Sequence, residues 1–195
     1  MQSRSDLHTL PEDLPVPIDD GACGHLPGLN LPSISLNATD GRQIDLSRLP
    51  ARTVVYIYPR TGRPDQPGSP AWDAIPGARG CTPQSCGFRD HYAELGELSV
   101  SAVFGLSTQT TGYQREVVER LHLPFPLLSD SGLAFTHALR LPTFEFEPYG
   151  SERSTLLKRM ALMIRDGRIE KVFYPVFPPD RNAEAVIEWL RVHPM

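Results

Sequence analysis

Polar and apolar residues alternate at 33–37 and again at 42–46, on either side of Asp40-Gly41. That is the pattern of two short strands closed by a tight turn. The run 53–58 is β-branched and aromatic and stops at Pro59, as expected of a buried central strand. Phe88, Leu95 and Leu98 fall on one helical stripe and predict a helix over 83–98. Residues 100–106 read as a second buried strand, and Tyr113, Val117 and Leu121 as the stripe of a second helix. A short strand is expected at 125–128 and a short helix at 133–139. The runs 160–164 and 169–174 flank Asp166-Gly167 as a second hairpin. Ala183, Val186, Ile187 and Leu190 recur at i, i+3, i+4 and i+7 and define a last helix, with Asp180 or Asn182 as its cap.

Strands that alternate with helices and end in an antiparallel pair predict an α/β fold with helices on both faces of a central mixed sheet. The arrangement is thioredoxin-like, with an N-terminal β-hairpin extension. Twenty prolines are about twice the usual share of roughly 5%. They cluster at 1–32, 59–83 and 175–179. The first cluster predicts an extended N-terminal arm over 1–30, ahead of one domain at 31–195. The second predicts a long loop before residue 81, and Trp72 within it has no evident place. Among the other rings, Tyr113, Phe125 and Phe135 read as core residues.

The net charge of −4 gives no support for nucleic-acid or acidic-membrane binding. No apolar run is long enough to span a bilayer, and residues 1–8 lack the apolar core of a secretory signal, so the expected location is cytoplasmic. Three cysteines in 195 residues do not make a disulfide framework. In a reducing compartment a close pair is catalytic, redox-sensing or metal-binding. Cys23 and six scattered histidines offer no second ligand pair for zinc, so neither a metal nor another cofactor is expected. Cys23 reads as a small buried hydrophobe.

Cys81 and Cys86 lie where a strand-like run gives way to a helix-like one. A helix start favours an anion, and a thiolate is an anion. Thr82 is the expected cap and Pro83 the first helical residue. On a helix, residues five apart have Cα atoms roughly 8.6 Å apart. A disulfide needs them within about 7 Å, so this pair must unwind to close. His91, Arg79 and Arg89 read as surface residues, Arg89 in an ion pair around Asp90.

The strand end 54–59, followed by Gly-Cys-Thr-Pro-Gln-Ser-Cys-Gly-Phe-Arg-Asp at 80–90, resembles the peroxiredoxins. The resemblance is to the peroxiredoxin Q, or bacterioferritin-comigratory-protein, subfamily. It continues through 103–107, 126–130 and 159–167, in the family's order. It implies a thiol-dependent peroxidase acting on hydrogen peroxide and organic hydroperoxides. Cys81 would be the peroxidatic cysteine and Cys86 the resolving one, joined in an intramolecular disulfide that a thioredoxin-like or glutaredoxin-like partner reduces. Arg159 would stabilise the thiolate and orient the peroxide, and Pro59 would shield the site. A monomer or a homodimer is compatible with the pattern.

Two departures stand out. Residues 60–75 interrupt the family's proline-to-cysteine spacing, and Ala78 stands three before Cys81, where the family has a hydroxyl that Thr61 or Thr82 would have to replace. Two other functions compete. A thiol–disulfide oxidoreductase on this fold uses Cys-x-x-Cys and a proline directly before a strand, whereas Pro142 lies well short of the strand expected at 160. A redox sensor would change shape without turning over.

Overall fold

The computed structural model describes residues 7–65, 69–147 and 152–195. The first six residues of the expected arm and residues 66–68 of the expected loop lie outside the described residues. Among the described residues nine strands and six α-helices follow in the order β1 (Ser35–Ala38), β2 (Gln43–Asp45), β3 (Arg52–Ile57), α1 (Pro70–Asp73), α2 (Cys81–Asp90), α3 (Tyr92–Glu97), β4 (Val100–Ser107), α4 (Thr111–Leu121), β5 (Leu127–Ser129), α5 (Ala134–Leu139), β6 (Thr143–Phe146), β7 (Ser154–Leu157), β8 (Met160–Arg165), β9 (Arg168–Phe173) and α6 (Asn182–Val192).

Seven strands form one mixed sheet in the order β2-β1-β5-β4-β3-β8-β9, and β6 and β7 form a separate antiparallel pair. The centre, β5-β4-β3, is parallel, while β8 and β9 close one side antiparallel and β1 and β2 the other. Period-two alternation divides β3 between two cores. Val54 and Tyr56 pack with Phe88 of α2, Leu95 of α3, Val117 of α4 and Val186 of α6. Val55 and Ile57 face the other way, onto Phe135 and Leu139 of α5 and onto Cys23 and Leu26. Helices therefore cover both faces, as the pattern predicts. Residues 7–29 form no strand or helix, yet they place the fully buried Leu26 in that second core.

The structure corrects several boundaries. The single helix expected over 83–98 is two, broken at His91, whose ψ of 10° leaves the helical range. Thr82 is not the cap: Gly80, at φ 104°, turns the chain so that Cys81 is already the first helical residue. A residue with a Cβ is strained at that φ, and its Cβ would meet Pro179 and lie 2.8 Å from Leu10. The last helix begins at Asn182, after a 3-10 turn at Pro179–Arg181, and neither expected residue caps it. The amide of Asn182 is instead engaged by Gln84, with Gln84 Nε2 donating to its Oδ1 at 2.9 Å.

The pair β6–β7 and the short α1 have no counterpart in the sequence reading. Pro142 is well short of β8, as expected, but it directly precedes β6, so it does stand directly before a strand. The residue preceding β8 of the main sheet is Arg159. Trp72 of α1 finds its place against this small sheet. Its ring packs edge-on to Phe146 at 4.9 Å, with the Arg60 guanidinium 5.7 Å from the indole.

Candidate active site

Helix α2 is held against the sheet from below. The Tyr56 ring stacks on Phe88 at 4.6 Å and its hydroxyl donates to Ser85 Oγ at 3.1 Å. Gly105 on the adjacent strand makes room for that ring, since a Cβ there would lie 2.6 Å from the Tyr56 hydroxyl. The first turn of α2 is consequently fixed over the end of β3, and with it Cys81, which is 4% exposed. At the first helical position its sulfur sits at the positive end of the peptide dipoles.

Arg159 is 3% exposed and turns all three of its nitrogens onto this spot. Its Nη2 lies 3.1 Å from Cys81 Sγ. The same nitrogen donates to the carbonyls of Ala78 at 2.9 Å and Arg79 at 3.2 Å. Its Nε donates to the Gly77 carbonyl at 3.1 Å, and its Nη1 to Gln84 Oε1. A planar guanidinium bound on all edges is fixed in orientation, which a lysine ammonium cannot achieve.

Gln84 was missed by the sequence reading. It is fully buried and ties Arg159 to Asn182 of α6. A signal was available: Cys81 and Gln84 are three apart on a helix and share a face.

Ala78 presents no side-chain hydroxyl, but its carbonyl faces both Arg159 and the thiol, with Cys81 Sγ 3.6 Å away. Thr61, one of the two candidates to supply the hydroxyl, is fully buried. Its Oγ1 is committed to Gln109 Oε1 at 3.1 Å. Thr82 is buried beside Cys81. Pro59 is buried two residues past the end of β3, next to Tyr58, whose phenol pKa is raised by burial and by the nearby Cys81.

Cys86 is half-buried, one and a half turns further along the same helix, and desolvation raises its pKa while Arg89 opposes the shift. Arg89 also donates to Asp90 at 2.8 Å, as expected. His91 is half-exposed beside Glu94, 3.0 Å away. Arg79 is not the surface residue expected: it is 8% exposed and paired with Asp73 at 3.0 Å. Tyr113 is only partly buried, because its hydroxyl reaches the Thr61 carbonyl at 3.0 Å.

Cys23 lies in the core on the opposite face of the sheet, 3.9 Å from Met160 Sδ, and burial pushes its thiol pKa up to about 12. Among the described residues no group of three or more His, Cys, Asp or Glu could hold a metal ion, and no helix is long and apolar enough to cross a membrane.

A buried arginine 3.1 Å from a thiol at a helix start is an arrangement able to stabilise a thiolate. The redoxin family model matches residues 26–187. The chain belongs to the redoxin family.

Its peroxiredoxin Q/Bcp branch supplies the similar proteins. Peroxiredoxin Bcp of Escherichia coli K12 is 31% identical over 170 residues, covering 83% of this chain and 93% of that protein. The chloroplastic peroxiredoxin Q of Oryza sativa subsp. japonica is 26% identical over 171 residues, covering 87% and 69%. The fold is thioredoxin-like, as in peroxidoxin BcpB from Mycobacterium tuberculosis, with a TM-score of 0.64, 23% identity and coverage of 86% and 98%. Xanthomonas campestris peroxiredoxin Q superposes with a TM-score of 0.61 at 20% identity, covering 93% and 98%. This redoxin is a thiol-dependent peroxidase, an oxidoreductase acting on peroxide.

Proposed function

We propose that Cys81 is the peroxidatic nucleophile, Arg159 its orienting cation and Cys86 the resolving thiol. The Arg159 Nη2 to Cys81 Sγ contact of 3.1 Å at a buried guanidinium carries this reading. The Cys81 thiolate attacks one peroxide oxygen. An S–O bond forms, the O–O bond breaks, and the departing oxygen takes a proton and leaves as water or an alcohol. Arg159 is placed to hold the peroxide in line, and Pro59 to keep bulk water from the site. The Cys86 thiolate then attacks the sulfenic sulfur, releasing water and forming the Cys81–Cys86 disulfide, which protects Cys81 from over-oxidation.

A thioredoxin-like or glutaredoxin-like dithiol returns the pair to the reduced state by exchange. The substrates are hydrogen peroxide and organic hydroperoxides. We assign the protein to a reducing location such as the cytoplasm, where a close cysteine pair is available for catalysis. We assign residues 1–30 as an arm on the peroxidase domain of 31–195, acting as a monomer or homodimer. The domain needs no metal, flavin or haem for this chemistry.

The test is peroxide consumption coupled through thioredoxin to NADPH oxidation. Cys81→Ser is expected to abolish it. Cys86→Ser is expected to reduce one equivalent of peroxide and then stop. Turnover by Cys81→Ser, or a dead single turnover in Cys86→Ser alone, would reverse the assignment.

A further inference from the structure

We propose that Val16, Pro17 and Ile18 of the amino-terminal arm complete a pocket for the apolar substituent of an organic hydroperoxide, and so help decide which peroxide Cys81 reduces. The proposal rests on the roles given above to Cys81 and Arg159. These arm residues lie outside the part of the chain that the redoxin family model matches, 26–187. They wall a cavity of about 320 Å³ together with Phe144, Val176 and the active-site arginine, Arg159. Arg159 thus has two faces: its Nη2 reaches Cys81 Sγ at 3.1 Å, and it also borders this cavity.

The chemistry gives a direction. When thiolate sulfur takes the hydroxyl oxygen of R–O–OH, the S–O bond forms in line with the breaking O–O bond. The alkoxide RO⁻, which leaves with the electron pair and takes up a proton, lies on the far side of the transferred oxygen from sulfur. Cys81 does not itself line the cavity; with the leaving oxygen held by the guanidinium, the proposal assigns R to the cavity that Arg159 borders.

The walls suit an apolar R. Besides Arg159, the polar wall residues Lys158 and Tyr174 are both turned onto Asp20: Lys158 Nζ pairs with its carboxylate at 2.7 Å, and the Tyr174 hydroxyl donates to it at 2.8 Å. That cluster also pins the arm beside Arg159, so the pocket has a fixed rather than a floating wall. Pro17 rests on the active-site loop, where a Cβ on Gly77 would touch it at 3.4 Å. Val16 and Ile18 remain 62% and 86% exposed, apolar surface that a bound substituent would cover. The volume falls in the range of small-molecule sites, roughly 300–1,000 Å³, well beyond what hydrogen peroxide requires.

Val16→Asp and Ile18→Asp test this through the ratio of kcat/KM for cumene hydroperoxide to kcat/KM for hydrogen peroxide. The ratio is independent of the active fraction in each preparation, so partial misfolding does not distort it. It is expected to fall about tenfold, chiefly through KM for the cumyl substrate, in line with what a lost apolar contact does to specificity. Ile18→Leu is expected to keep the wild-type ratio. An unchanged ratio in both aspartate variants overturns the pocket. Wild-type protein that consumes neither peroxide would instead overturn the assignment of Cys81 and Arg159 on which the pocket depends.

Discussion

At the scale of single residues, the site depends on how Arg159 is held. Five acceptors surround it, and the only side chain among them besides Cys81 is Gln84. Gln84 is therefore a positioning residue. Gln84→Ala is expected to slow peroxide attack about tenfold, the size of one lost hydrogen bond to a charged group. Gln84→Glu keeps an acceptor and is expected to restore most of the rate. Stopped-flow peroxide consumption by the reduced protein measures both. A rate unchanged in Gln84→Ala would mean that the backbone carbonyls suffice.

Cys86 brings a pH dependence. Its pKa in the folded helix lies above its ordinary value because of burial, so protonated Cys86 favours the closed helix at low pH. As pH rises past the unfolded thiol value, about 8.5, the opened form gains a thiolate that the closed form resists. Disulfide formation after the sulfenic step is expected to accelerate with pH through that region. A flat profile followed by mass spectrometry of quenched samples would contradict it.

At the scale of elements, α2 has two opposed tasks. In the proposed cycle its first turn is formed to place Cys81 on Arg159, and it opens for Cys86 to reach Cys81. An unbroken helix from Cys81 to Asp90 puts their Cα atoms roughly 8.6 Å apart, beyond disulfide reach. Amide exchange across α2 is expected to be faster in the disulfide form than in the reduced form, with β3 and β4 unchanged. Equal protection in both states would mean that the cysteines close without unwinding.

The main elements were legible because their signals are local. Asp40-Gly41 and Asp166-Gly167 mark turns, and the α4 and α6 stripes mark helices. What escaped depends on distant partners. Gly80 ends the loop because Pro179 and Leu10 close over it, and Asn182 is drawn from capping by Gln84. The β6–β7 pair gathers around Trp72 and Arg60, which no short window connects. Within the site, the cysteine pair was legible from spacing. Arg159 needed the family resemblance, and Gln84 needed the contact itself.

At the scale of the whole molecule, the two ends of β3 differ. The end near Pro59 carries the proposed chemistry, while the start of β3 carries a structural clamp. Arg52, 1% exposed, is gripped by Glu170 of β9 through two bonds of 2.9 Å and by the His193 carbonyl at 2.6 Å, with Trp189 beneath it at 5.3 Å. It joins β3, the sheet edge and the end of α6. Glu170→Ala leaves that guanidinium without its carboxylate and is expected to cost about 3 kcal/mol of stability by urea denaturation. A loss below about 1 kcal/mol would show that the His193 carbonyl and Trp189 hold Arg52 unaided.

The central claim is that oxidation passes from Cys81 to Cys86 within one chain. The most direct measurement treats reduced wild-type protein with one equivalent of hydrogen peroxide, blocks remaining thiols and maps the peptides without reduction. A Cys81–Cys86 cross-link with Cys23 alkylated after denaturation is the expected result. A cross-link through Cys23, or Cys86 left alkylatable while Cys81 is over-oxidised, would contradict it.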